Sequence, residues 1–83
     1  MSVWFVYIVR CRDGSLYTGI TINVEARIKK HNAGLGAKYT RARKPVTLVW
    51  SEEVESESSA RIREIEIKKW DKKKKERLLN LSR

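Results

Sequence analysis

The chain has 83 residues and a formal net charge of +9, from 19 Lys and Arg against 10 Asp and Glu, and 41% of it is hydrophobic. That length is read as one domain over residues 1–83 with one thin core, and the hydrophobic fraction excludes a disordered polyelectrolyte. A single cysteine, Cys11, excludes an internal disulfide and a Cys-rich zinc site, and a single histidine argues against a His-based one.

A small domain without disulfides fits a reducing compartment, so the cytoplasm is the expected location. The stretch from Met1 to Phe5 has no basic n-region and no long apolar run, so neither a signal peptide nor a membrane span is expected there. The charge is uneven. Residues 1–50 hold nine basic and two acidic residues, a surplus of +7, and residues 51–83 hold ten and eight, a surplus of +2. Such a surplus favours a polyanion, and nucleic acid is the commonest one inside cells. The plain alternative is a charge that serves solubility alone.

Trp4 to Arg10 (WFVYIVR) is almost wholly apolar and rich in aromatic and β-branched residues, the pattern of a central strand. Cys11 is expected to be a small buried residue in a strand. Asp13-Gly14-Ser15 signals a turn. Leu16 to Ile20 (LYTGI) returns as a second strand, in which Gly19 marks a bulge or a close backbone approach. Asn23 suits the N-cap of a helix with Glu25 in its first turn, running to about Asn32 and stopping near Gly34. Gly34-Leu35-Gly36-Ala37 reads as a flexible loop that continues through Lys38 to Lys44, and Pro45 blocks a helix. Val46 to Trp50 (VTLVW) is a third strand. Ser56 opens a long helix to about Trp70, acidic in its first turn and basic in its last. Asp71 then caps a final helix carrying Leu78, Leu79 and Leu81. The order ββαβαα defines an α/β (α+β) domain whose strands must share one sheet.

Four features stand out against this frame. Tyr7 and Tyr17 lie on the two hairpin strands, and Tyr7 interrupts an apolar run with a hydroxyl that needs a partner; core aromatics with satisfied hydroxyls are the plain alternative. Arg27 and His31 are one helical turn apart and share a face. Rotation by helical geometry puts His31 about 20° from Val24 and Ile28 about 40° to the other side, so His31 sits on the buried stripe. A lone histidine there is more often a satisfied core residue than a catalyst, and Arg27 sits at the edge of the stripe, where its stem packs and its head faces a cleft or solvent. Glu64 falls about 40° from Ala60 and about 60° from Ile67, so its carboxylate must be paired, protonated or bound to a cation; Lys68, four residues on, offers a simple ion pair. Finally, Lys38, Tyr39, Arg41 and Arg43 interleave basic and aromatic side chains in the loop before Pro45, a composition suited to phosphate contacts and base stacking, or to an ordinary solvated loop.

In this order, these pieces resemble the GIY-YIG nuclease superfamily, and in particular its small stand-alone bacterial members. The resemblance runs from about Trp4 to Leu79. Phe5-Val6-Tyr7 stands for the first motif and Tyr17-Thr18-Gly19 for the second. Arg27 and His31 match the first-helix arginine and its polar partner. Gly36-Ala37-Lys38-Tyr39-Thr40-Arg41 is typical of the stand-alone group, and Arg63-Glu64 with Ile67-Lys68 matches the segment carrying the metal-binding glutamate. Phe5, Val6 and Thr18 replace the family's Gly, Ile and Ile, which changes strand packing and spares both tyrosines. Asn80 is given no role.

What the resemblance implies is a three-stranded antiparallel sheet flanked by about three helices, and hydrolysis of a nucleic-acid phosphodiester with one divalent ion, Mg²⁺ or Mn²⁺, held by Glu64. Tyr7, Tyr17, Arg27, His31 and Glu64 are then the expected catalytic set, with Lys38, Tyr39, Arg41 and Arg43 on the substrate backbone. A phenol with an ordinary pKa of about 10 is a poor base at neutral pH unless the metal and Arg27 lower it. His31 titrates closer to neutrality and is either the base or a relay for the proton of Tyr7; the residues leave both routes open. DNA is the expected substrate, ahead of RNA, with structure-selective or weakly specific cutting in repair or turnover by a monomer, with or without a targeting protein. The alternatives are a binding module of the same fold without catalysis, and an adaptor that is basic only for solubility. On either nucleic-acid reading, the affinity for duplex DNA measured by anisotropy is expected to fall steeply with rising salt, with a slope set by the number of phosphates contacted; a flat response would leave only the adaptor.

Overall fold

Both faces of the first strand are buried, and this is why its sequence is an almost unbroken apolar run rather than an alternation. In the computed structural model, which describes residues 3–81 (the side chain of Leu81 excepted), β1 spans Trp4–Arg10 and lies between β2, Leu16–Thr21, and β3, Thr47–Val54. The sheet order is β2-β1-β3 and both pairings are antiparallel. Four helices complete the described residues: α1, Val24–Asn32; α2, Lys38–Arg41; α3, Glu57–Lys68; and α4, Lys72–Leu81.

One sheet face carries Val6, Ile8 and Trp50 against Ala60 and Ile67 of α3 and Leu79 of α4, with Trp4, Leu16, Ile20, Val54 and Trp70 around them. The other carries Tyr7 and Val9 with Cys11, Val46, Tyr17 and Ile28 of α1. Each fully buried Val or Ile of β1 contributes about 1.5–3 kcal/mol by leaving water. Thr18, opposite Ile8 in the register, is also buried, and its hydroxyl finds no partner among the described residues. That unsatisfied hydroxyl costs about 1–3 kcal/mol.

The caps act as the sequence suggests. The Asn23 side chain accepts from the Ala26 N–H, that of Ser56 from Ser59, and that of Asp71 from Lys74. α1 ends where Gly34 takes a φ of +79°, a conformation that favours glycine. Three boundaries differ from the sequence reading. β3 continues to Val54 because its backbone pairs with β1 as far as Trp4, and an edge strand tolerates Ser51, Glu52 and Glu53 on that ladder. The segment expected as loop over 38–44 contains the one-turn helix α2, too short to leave a periodic pattern. α3 stops at Lys68, two residues early, as the chain turns into the Asp71 cap.

Two long-range polar clamps close the fold. Arg10 at the end of β1 holds Glu76 of α4 through two hydrogen bonds of 2.8 and 2.7 Å. Asn32, the last residue of α1, accepts from the Val46 N–H at 2.6 Å and donates to the Val46 carbonyl at 3.1 Å. Asn32 therefore stands in for a missing strand at the start of β3. Replacing it with Ala leaves both backbone groups of buried Val46 without their partner, so Asn32→Ala is expected to lower unfolding free energy by about 1–3 kcal/mol in urea titration.

Candidate active site

The site is built at the open edge of β2. Tyr7 lies directly across from Gly19 in the antiparallel register. With no side chain at Gly19, the Tyr7 ring lies flat over the neighbouring strand; a Cβ there would stand 2.5 Å from the phenol oxygen. The oxygen thus reaches α1, where it makes a buried 2.7 Å hydrogen bond to Nε2 of His31. The glycine marked in the sequence as a bulge or close approach is the latter, and what approaches is a side chain.

His31 is 1% exposed, as its place on the apolar stripe requires. Its other ring nitrogen, Nδ1, lies 2.7 Å from Oγ1 of Thr40 on α2. Gly36 passes so close to the imidazole that any side chain there would overlap Nδ1. Tyr17 packs edge-on against His31, with ring centroids 5.5 Å apart, and stacks on Tyr39 at 5.9 Å. The Arg43 guanidinium caps Tyr39 at 3.9 Å, bonds its carbonyl and pairs with Asp13. Those commitments make Arg43 a brace for Tyr39 and the turn. The side chains of Lys38 and Arg41 are exposed and make no hydrogen bond or ion pair among the described residues.

Two charges complete the cluster. Arg27, half-buried on α1, lies within electrostatic reach of both Tyr7 and His31, and its guanidinium has no hydrogen-bond or ion-pair partner among the described residues. It lines a shallow groove of about 400 Å³ with Thr21, Asn23 and Lys30. Glu64 on α3 lies within reach of Tyr7 from the other side of the sheet, and its side chain is 17% exposed and pairs with Lys68 at 3.2 Å. The Lys68 ammonium in turn sits 5.6 Å from the Tyr17 ring. Of the five residues picked from the sequence as catalytic, Tyr7 and Tyr17 both contact His31, and Arg27 and Glu64 lie within electrostatic reach of Tyr7. A larger, mostly apolar cavity of about 740 Å³ lies among Phe5, Ile28 and Leu48 and contains none of them; Tyr7 and His31 are buried, and Arg27 is the member of the set that lines the shallow groove.

Burial sets the protonation states. It pushes the Tyr7 phenol well above its usual 10.0, and the neighbouring phenol of Tyr17 and carboxylate of Glu64 add to that, against the lowering effect of Arg27. Burial, and then the Arg27 charge, hold His31 below 6.5. At neutral pH the pair is a protonated phenol beside a neutral imidazole. A metal cage is absent: no group of three or more His, Cys, Asp or Glu comes together among the described residues. One partly exposed carboxylate fits only an ion that keeps most of its ligands as water and phosphate, which is how Mg²⁺ is ordinarily held.

The chain belongs to the GIY-YIG family, whose nuclease domain model, described as the GIY-YIG catalytic domain, matches residues 3–77. A UPF0213 protein of Staphylococcus haemolyticus is 54% identical over 79 residues, covering 95% of this chain and 96% of the relative. Another, from Staphylococcus aureus, is 56% identical over the same length. Among solved structures, the solution NMR structure of the UPF0213 protein of Bacillus halodurans has 48% identity and a TM-score of 0.62, over 95% of this chain and 84% of that one. A protein from E. faecalis gives 40% and 0.65, over 98% and 86%. No helix of the described residues is long and apolar enough to cross a membrane.

Thr40, Gly36 and Lys68 belong to the site by geometry and were not picked as site residues from the sequence. Thr40 and Gly36 lay inside a quoted run, but nothing in that run says a hydroxyl nine residues away meets the far side of His31.

The buried imidazole gives a pH signature. Its pKa is lower folded than unfolded, so its contribution to stability is complete above the unfolded value near 6.5 and is lost as pH falls below it. Asp13 and Glu76 carry depressed carboxylates, whose losses come only in more acid solution. Between about pH 7.5 and about pH 5, melting temperature is therefore expected to fall with pH in the wild type and to stay nearly level in His31→Gln. An equal slope in both would show that the chain's one histidine is not the titrating group.

Proposed function

We propose that the protein is an endonuclease that hydrolyses phosphodiester bonds in DNA, with RNA as the second candidate, cutting by structure or with weak sequence preference. The observation that supports this best is the buried Tyr7–His31 hydrogen bond next to an unpaired Arg27 and the Glu64 carboxylate. A binding module has no need of a buried proton donor and acceptor paired in that way. The nucleic-acid partner is consistent with the surplus of +9 and the free cations Lys38 and Arg41.

In this reading Tyr7 and Tyr17 hold a water in line with the scissile phosphorus. The water loses a proton to the Tyr7 oxygen while Tyr7 passes its own hydroxyl proton to Nε2 of His31. The new phosphorus–oxygen bond forms, the bond to the leaving oxygen breaks, and the leaving oxygen is protonated from solvent. A free phenolate never has to exist, which matters because burial holds the phenol far from ionisation. Arg27 contacts the non-bridging oxygens as their charge grows. Glu64 would hold one Mg²⁺ or Mn²⁺, which when bound supplies further charge compensation at the phosphate. Lys38 and Arg41, with Tyr39 braced by Arg43, contact the strand backbone.

The test is cleavage of single-stranded, duplex and branched DNA, and of RNA, with Mg²⁺ or Mn²⁺ and then with chelator. Chelation and Glu64→Ala are expected to abolish cutting, and Tyr7→Phe to lower its rate by about 10²–10⁴-fold while the protein stays folded. Binding without metal-dependent cutting, unchanged by Glu64→Ala, would identify a binding module instead.

A further inference from the structure

Thr40 is 0% exposed, lies on the one-turn helix α2 and touches His31 on the side away from Tyr7. Its hydroxyl oxygen has two close polar neighbours: Nδ1 of His31 at 2.7 Å and the carbonyl oxygen of Ala37 at 2.9 Å. A threonine hydroxyl has one hydrogen to give. The contact with Ala37 joins two oxygens, and a carbonyl cannot donate, so that hydrogen belongs to Thr40 and points at Ala37. Such a bond from a helical threonine to a carbonyl three residues back is locally favoured. The lone pairs of Oγ1 then face Nδ1, which must carry a hydrogen to bond them. A neutral imidazole has only one N–H, so Nε2 is bare and accepts from the Tyr7 hydroxyl.

The reverse arrangement fails on the same count. With the hydrogen on Nε2, Thr40 would have to turn its hydrogen to Nδ1, leaving two oxygens 2.9 Å apart with no hydrogen between them. His31 would also donate to Tyr7, where the proposed chemistry needs it to accept. Gly36 bounds the same nitrogen from a third direction, since a side chain there would overlap Nδ1.

We infer that Thr40 is a positioning residue that fixes His31 in the Nδ1-protonated tautomer, so that Nε2 is open to the proton of Tyr7. The inference rests on the nuclease reading for its functional consequence and on hydrogen counting for its structural one. In the relay, Nε2 gains the Tyr7 proton and Nδ1 keeps its own, so the imidazolium that forms donates to Thr40 throughout. The run Lys38-Tyr39-Thr40-Arg41 thus serves the reaction through a buried hydroxyl as well as through its exposed cations.

Because the chain has one histidine, long-range proton–nitrogen correlation spectra of the ¹⁵N-labelled full chain report this ring alone. At a pH where the imidazole is neutral, the wild type is expected to show a protonated Nδ1 and a bare Nε2, and Thr40→Ser to show the same. Thr40→Val keeps the shape and removes the acceptor, and is expected to shift the proton toward Nε2 and slow cleavage by about 10-fold or more. An Nε2-protonated ring in the wild type, or a tautomer and cleavage rate unchanged in Thr40→Val, would overturn the inference. Should Thr40→Val fail to fold, Thr40→Ser decides with the wild type, since an Nε2 proton in either is incompatible with the lock. The spectra do not depend on activity, so an Nδ1-protonated ring in a protein that cuts nothing would sink the nuclease reading and leave the tautomer assignment standing.

Discussion

The hydrogen bond from the Tyr7 hydroxyl to Nε2 of His31 is the contact around which the rest of the domain is arranged. It joins the central strand to the first helix across an edge strand, and it exists only because β2 offers bare backbone at Gly19 for the phenol to cross. The imidazole is held from behind by Thr40 and from the side by Gly36. The same end of the helix that carries it is fixed by the two bonds of Asn32, the next residue, to Val46. Five separate stretches of chain thus set the position of one proton. A buried polar pair is tolerated in so thin a core because every one of its groups has a partner.

The same burial determines what the pair can do chemically. Removing a phenol from water disfavours its anion, and removing an imidazole from water disfavours its cation, so each group keeps its neutral form more firmly than it would at the surface. The result is a donor and an acceptor matched in protonation over the neutral range. Arg27, with no carboxylate to neutralise it among the described residues, pushes both groups toward lower pKa and leaves a cation facing the groove. Glu64 approaches from the opposite sheet face and is balanced by Lys68. The carboxylate is therefore accompanied by the ammonium of a half-exposed, flexible side chain.

The basic segment after α1 divides its labour. Arg43 is tied to Asp13, to the Tyr39 carbonyl and to the Tyr39 ring, and through Tyr39 it steadies Tyr17. The side chains of Lys38 and Arg41 have no hydrogen-bond or ion-pair partner among the described residues. The net charge is concentrated in the first fifty residues, which carry nine basic and two acidic side chains. In the proposed nuclease, long-range attraction of this kind would draw in a polyanion without regard to sequence.

The sequence by itself determined most of the elements and picked out the candidate site residues. WFVYIVR requires burial on both faces, Asn23, Ser56 and Asp71 announce their helices, and helical rotation alone turns His31 inward and sets Glu64 between Ala60 and Ile67. These are local or periodic properties, which a linear reading recovers. The tertiary structure decided which groups touch: that Tyr7 crosses Gly19, that Arg43 braces and does not dangle, that the Thr40 hydroxyl on α2 closes the far side of the imidazole, and that β3 runs on to Val54 along the backbone of β1. Each of these is a contact between residues far apart in the chain or a bond of the backbone itself, and neither leaves a periodic mark on the side chains from which it could be read.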